Sequence, residues 1–149
     1  MELAKLNFVE NYNFKFKERN SSIFIYDIIR QKYIILSPEE WVRQHWIHFL
    51  HYEKKMQKSK FVIEKKIELN GTTKRMDILI YKKENPFILI ECKSPDIEIS
   101  QATLEQSLRY NKVVQANFII LSNGLIHKLF QFDHIKNEYL EIYHVDFLI

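Results

Sequence analysis

Glycine, cysteine and long apolar runs are what this sequence has least of. Two glycines, Gly71 and Gly124, stand far apart in a chain of 149 residues. They cannot build a Gly-rich phosphate loop, so a P-loop ATPase and a dinucleotide-binding fingerprint are excluded. A single cysteine, Cys92, leaves no internal disulfide and no Cys-based zinc cluster. No apolar run approaches the ~18 residues that a membrane helix requires. Residues 1–18 interleave charges and contain no signal-peptide stretch, which predicts a cytoplasmic protein with no membrane partner. Charge of one sign is also scarce. The 22 basic and 19 acidic residues leave a net charge of +3, too little to argue for nucleic-acid binding unless the basic residues cluster on one face.

What is present belongs to a globular domain: 46% hydrophobic, 14% aromatic and 28% charged residues. Tyr12–Lys17 alternates aromatic and polar residues as a strand does, and Ile23–Tyr26 is a second short apolar run. Together they predict an N-terminal β-hairpin extension over residues 1–36, ahead of a core over 37–149. Ser37-Pro38-Glu39-Glu40 is a helix start, with Ser37 as cap, Pro38 in the first turn and Glu40 completing a capping box. The helix is expected to run to about Met56, with Val42, Trp46, Phe49 and Leu50 on one face. Strand patterns follow at Phe61–Leu69, Arg75–Lys82 and Phe87–Ile90. The last is a continuous apolar run suited to a strand buried on both faces. Gln101 to about Ala116 reads as a second helix, Phe118–Leu121 as a buried strand, and Leu125–Phe132 and Tyr139–Val145 as the final strands after an Asn123-Gly124 turn. The order α-β-β-β-α-β-β-β predicts an α/β sandwich around a mixed sheet.

The chemistry concentrates at the end of the most apolar segment. Phe87–Ile90 runs directly into Glu91-Cys92-Lys93. Glu91 and Lys93 share a strand face, and Cys92 points the other way into the core, where a thiol is inert. Asp77 lies in the preceding strand. A turn centred on Asn85 sets it opposite Lys93 and diagonal to Glu91. A turn centred between Glu84 and Asn85 sends it to the wrong face. The first arrangement, or a bulge with the same effect, is expected. Two carboxylates this close are costly without a cation between them. Hard oxygen donors select Mg²⁺ or Mn²⁺, and the Cys92 carbonyl could add a third oxygen. Such an ion can polarise a phosphodiester and activate water. Lys93 beside it suits positioning better than general-base work, because neighbouring carboxylates keep it protonated. Glu53-x-Lys55 and Glu64-x-Lys66 repeat the E-x-K spacing, but neither ends a buried run behind an Asp-bearing strand.

Asp77, then Glu91-Cys92-Lys93, then Gln106-x-x-x-Tyr110 resembles the PD-(D/E)xK nuclease superfamily, and in particular the N-terminal nuclease domain of type I restriction enzyme R subunits. The Pro38–Gln44 helix start and the Ser122-Asn123-Gly124 turn match that domain as well. The resemblance covers roughly residues 30 to 132. It implies a restriction-endonuclease-like mixed sheet flanked by helices and divalent-metal hydrolysis of phosphodiesters in DNA. Asp77 and Glu91 would be metal ligands and Lys93 the catalytic lysine, with Gln106 and Tyr110 in the helix motif beside them. Met76 stands where the superfamily name has proline. Type I R subunits carry a motor after this domain. No phosphate loop occurs here, so ATP-driven translocation is not expected of this chain: it acts as a stand-alone nuclease, or as a nuclease subunit for which a separate motor or specificity subunit supplies the rest. Double-strand cutting with one site per chain needs two copies, hence a homodimer, or two events.

Four basic residues are candidate nucleic-acid contacts: Lys74 and Arg75 before Asp77, and Arg109 and Lys112 near the Gln106–Tyr110 helix face. Glu40 could approach the metal from the first helix, although capping accounts for it equally well, and Glu64 is a rival acid on the preceding strand. His45, His48 and His51 do not form a metal site, since positions 45 and 51 are about 240° apart around a helix. The competing function is a catalytically inactive nucleic-acid-binding or assembly module that retains a nuclease fold.

Overall fold

The computed structural model describes residues 2–144. Nine strands and two α-helices form two sheets among these residues. The smaller sheet is an antiparallel meander of β1 (Phe16–Arg19), β2 (Ser22–Asp27) and β3 (Lys32–Ile35). The expected hairpin thus gains a third strand. The expected strand over Tyr12–Lys17 starts only at Phe16, because Tyr12 and Phe14 turn their rings onto the first helix, against His45 and His48.

That helix, α1 (Pro38–His48), starts as its sequence dictates: the Ser37 hydroxyl accepts the Glu40 N–H, and Pro38 occupies the first turn. It ends earlier than Met56. The chain winds into one π-helical turn over Phe49–Glu53 and leaves helical geometry at Lys55, which is left-handed at φ 58. The six-stranded sheet has the order β4-β5-β6-β7-β8-β9. Its strands are β4 (Phe61–Leu69), β5 (Thr72–Lys82), β6 (Asn85–Cys92), β7 (Phe118–Ser122), β8 (His127–Asp133) and β9 (Glu138–Ile142). Only β6 and β7 are parallel, joined through α2 (Gln101–Val114). The expected α-β-β-β-α-β-β-β order is the observed one, and the sheet is mixed. Part of the last expected strand, Val145, lies outside the described residues.

The central strands β6 and β7 are apolar on both faces because a helix covers each. α1 packs on the face carrying Ile78, Ile80, Ile88, Ile90, Cys92 and Ile120. α2 and the outer strands cover Leu79, Leu89, Ile119 and Leu121 on the other. α1 is also covered from outside. Leu6 and Phe8 of the N-terminal segment, with Ile28 and Ile29 after β2, join its core cluster. Consequently Glu40, Arg43, Gln44, His45 and His48 are buried along with the apolar residues of the helix.

The N-terminal segment is tied down at the β7–β8 turn. The Asn7 N–H donates to the Gly124 carbonyl at 2.7 Å, and the Asn123 side chain accepts the N–H groups of Leu125 and Ile126. Gly124 is left-handed at φ +84, and a Cβ there would stand 2.8 Å from Leu6 and 3.0 Å from Val42. Gly124→Ala is expected to destabilise the fold by about 1–3 kcal/mol, from backbone strain and overpacking together. Urea denaturation of the variant checks this. A second outcome concerns pH. Burial lowers the His45 pKa to about 4, against the opposing pull of the Trp41 carbonyl on its Nδ1. The folded state therefore holds a neutral imidazole where the unfolded chain binds a proton. That stability is complete above about pH 6.5 and is lost as pH falls towards 4, amounting to roughly 3 kcal/mol. Denaturation midpoints of wild type and His45→Gln at pH 7 and pH 4.5 are expected to converge at the lower pH.

Candidate active site

The β5–β6 hairpin places Asp77 by means of a bulge. Its turn lies at Lys83–Glu84, not at either place expected around Asn85, since Lys82 pairs with Asn85 and Tyr81 with Pro86. That register alone would set Asp77 opposite Ile90, on the wrong face. The register shifts between Tyr81 and Ile80, which pairs with Ile88 and leaves Phe87 over. Beyond the shift Ile78 pairs with Ile90, so the next step sets Asp77 beside Glu91. The bulge achieves the parity that the site requires.

A second irregularity lies across β4. Ile63 pairs with Ile78 and Lys65 with Met76, so Glu64 stands opposite Asp77. Ile63 and Ile78 join the α1-side core, whereas Ile67 and Met76 join the α2-side core. Both strands therefore exchange their inward faces at the Glu64–Asp77 pair. Glu64 accommodates this with φ 55, a left-handed conformation that costs a non-glycine residue of order 1–2 kcal/mol. Asp77 at this crossover reaches towards both layers. Its Oδ1 accepts from Arg43 Nη2 at 2.5 Å, and its Oδ2 accepts the Cys92 N–H at 2.8 Å.

Glu91 is 3% exposed. Burial first, and the Asp77 carboxylate second, push its pKa up to about 8, while Lys74 opposes the shift. Lys74 Nζ lies 3.4 Å from Glu91 Oε2 and 4.7 Å from the centre of the Tyr110 ring. The other oxygen, Oε1, is buried without a hydrogen-bond partner among the described residues. Lys93 is half-buried, its N–H bonded to the Ser122 carbonyl, and its ammonium forms no ion pair among the described residues. Its field is felt by Glu39, whose carboxyl is raised by burial and by Asp77 and lowered by Arg43 and Lys93. Glu39 thus feels the charges of both Asp77 and Lys93, while Asp77 stands beside Glu91. Cys92 is fully buried, and burial pushes its thiol well above the usual range.

These residues fit a divalent cation by donor chemistry. Two hard carboxylates adjoin, one with an orphaned buried oxygen, and a cation would relieve both the orphan and the repulsion. No cluster of three or more His, Cys, Asp or Glu side chains suited to an ion occurs among the described residues. Water, phosphate or a main-chain carbonyl such as that of Cys92 would complete the coordination.

Other candidate residues are distributed differently. Glu40 does not face open space, because its oxygens receive Arg30 Nη2 at 2.6 Å, Gln44 Nε2 at 2.9 Å and Arg43 Nη1. Tyr110 is buried beneath Lys74, whereas Gln106, one turn earlier on α2, is exposed and makes no side-chain hydrogen bond. Arg75 is exposed directly across from Lys66. Arg109 and Lys112 line a cleft of about 830 Å³ with Phe132, His134 and Tyr139, and neither Asp77 nor Glu91 lies on it. Sequence reasoning overlooked Arg43, Arg30, Asp27 and Glu39. The available signal was the Glu39/Glu40–Arg43 spacing of i,i+4 and i,i+3, which reads as an ordinary surface pair.

Arg30 knits the support together. Its guanidinium meets Asp27 at 2.7 Å, Glu40 at 2.6 Å and Glu64 at 3.0 Å. Arg30→Met is expected to cost about 3–5 kcal/mol, since it strands buried Asp27 and Glu40. Chemical denaturation of this variant checks the value.

Comparison with known families and structures adds the following. Residues 38–145 match the family model described as the type I restriction enzyme R protein N terminus. A solved structure, described as a fragment of an HsdR subunit of a type I restriction enzyme from Vibrio vulnificus YJ016, is similar at 23% identity and a TM-score of 0.36. The match covers 56% of this chain and 16% of that one. No curated protein matches.

Proposed function

We propose that this chain, which belongs to the family of type I restriction enzyme R protein N termini, is a divalent-metal-dependent endonuclease acting on DNA. The observation that carries the reading is the Asp77–Glu91 pair beyond the β5–β6 bulge, with a Glu91 oxygen and a Lys93 ammonium that find no partner among the described residues. Asp77 and Glu91 would hold Mg²⁺ or Mn²⁺, with the Cys92 carbonyl as a further donor, and the ion would supply Lewis-acid polarisation of the phosphodiester.

The protein's own groups do the rest. The Cys92 N–H and Arg43 fix Asp77 through both of its oxygens. Lys74 pairs with Glu91 Oε2 and is thereby committed within the site, its ammonium also lying over the Tyr110 ring. Lys93 holds a phosphate oxygen or the attacking water by charge. Arg75 is exposed on the same hairpin and supplies a backbone-phosphate contact. With one such centre per chain, cutting both strands takes a homodimer or two successive events, and a separate motor or specificity subunit would supply translocation and choice of sequence.

A second reading, an inactive DNA-binding or assembly module, draws support from one feature: Asp77 and Glu91 each already have a cation, Arg43 and Lys74. Cleavage of plasmid DNA in Mg²⁺ or Mn²⁺ decides between them. Lys93→Ala is expected to lower turnover by at least about 100-fold. It should leave stability within about 0.5 kcal/mol of wild type, because Lys93 has no ion pair among the described residues to lose. Full activity in that variant would remove the mechanism. Salt-sensitive DNA binding with no metal-dependent cleavage would establish the second reading.

A further inference from the structure

Arg43 stands outside the trio of two acids and a lysine, yet it makes the shortest contact of Asp77, 2.5 Å to Oδ1. It is 5% exposed and cannot swing freely. Its other terminal nitrogen, Nη1, is bonded to Glu40. Glu40 is itself held by Arg30 and Gln44, and Arg30 and Gln44 both bond Asp27 at the end of β2. The Arg43 Nε is buried with no acceptor, so the guanidinium serves two acids at the expense of its own third donor. A planar fork can bridge two carboxylates in this way, and an ammonium cannot.

The charges at the site are matched before any metal arrives. Arg43 answers Asp77 and Lys74 answers Glu91. An entering divalent ion therefore meets acids whose charge is partly spent, with a guanidinium bound to one of its intended ligands. We propose that Arg43 is a positioning residue that orients Asp77 and, as a built-in cation, holds the affinity of the Asp77–Glu91 pair for a divalent ion below what two free carboxylates would give. This rests on the nuclease reading above. It adds that geometry at Asp77 is obtained at the expense of metal affinity.

The test titrates the full chain with Mn²⁺ alone, following the free-ion electron paramagnetic resonance signal, for wild type, Asp77→Asn, Arg43→Met and Arg43→Lys. Arg43→Met is expected to bind Mn²⁺ on the order of tenfold more tightly than wild type, the scale of one unit charge acting on a divalent ion a few ångström away in water-like screening. Its DNA turnover at saturating Mn²⁺ should fall. A merely structural role would not raise the affinity. Equal or weaker Mn²⁺ binding by Arg43→Met, with circular dichroism showing a folded protein, overturns the proposal. If Arg43→Met does not fold, Arg43→Lys decides: affinity within about twofold of wild type together with reduced turnover upholds the proposal, and wild-type turnover overturns it. Mn²⁺ binding absent from wild type, or undiminished in Asp77→Asn, overturns the nuclease reading as well.

Discussion

Burying acids next to one another demands cations, and the interior of this protein is organised around that demand. Asp27, Glu40 and Asp77 come from three different parts of the chain and are all buried. Two arginines join them in a single line, Asp27–Arg30–Glu40–Arg43–Asp77. The line runs from the end of β2 in the small sheet, through α1, to Asp77 in the large sheet. Removing any internal member leaves an uncompensated charge in a low-dielectric setting, which costs far more than a surface pair is worth. The small sheet is thereby coupled to the candidate active site by electrostatics as well as by apolar packing.

Backbone irregularity does the complementary work. Regular hairpins would have kept Asp77 on one face and delivered it opposite Ile90. The surplus residue Phe87 in β6 corrects the parity, and the left-handed Glu64 lets two strands exchange faces at one rung. Both departures converge on Asp77. Phe87 itself packs on the core beside Phe118, so the parity correction is obtained without leaving its surplus residue unpacked.

Much of this was legible in the residues themselves. Phe87–Ile90 announced a strand buried on both sides, and its abrupt end in Glu91-Cys92-Lys93 located the polar edge. Parity arguments identified a bulge as one of two ways to bring Asp77 to that edge. Ser37 and Pro38 marked the start of α1 to the residue. The support of the site was not legible, for a physical reason. Helical periodicity assigns the face opposite Val42 and Trp46 to solvent, and on that assumption Arg43 and Gln44 are ordinary surface residues. The assumption fails because the N-terminal segment and the small sheet cover the outer side of α1. No local pattern reveals that a helix has a second roof. Glu40 shows the same effect: its capping position was readable, but its pairing with Arg30 depends on a turn in another sheet.

That second roof also bears on the order of assembly. Asn7 meets Gly124 and Leu125 through its main chain and side chain, and the His127 ring meets the Asn7 carbonyl at 2.9 Å. These partners are more than a hundred residues apart in the chain. On a ribosome Asn7 must therefore wait until residues 124–127 have emerged before its docking place exists, and closing so long a loop is slow relative to forming neighbouring hairpins. Until then Trp46 and Val42 lack their outer cover. The seating of Asn7 and its neighbours would follow formation of the β7–β8 turn, so a nascent molecule would acquire its sheet before it acquires a sealed helix.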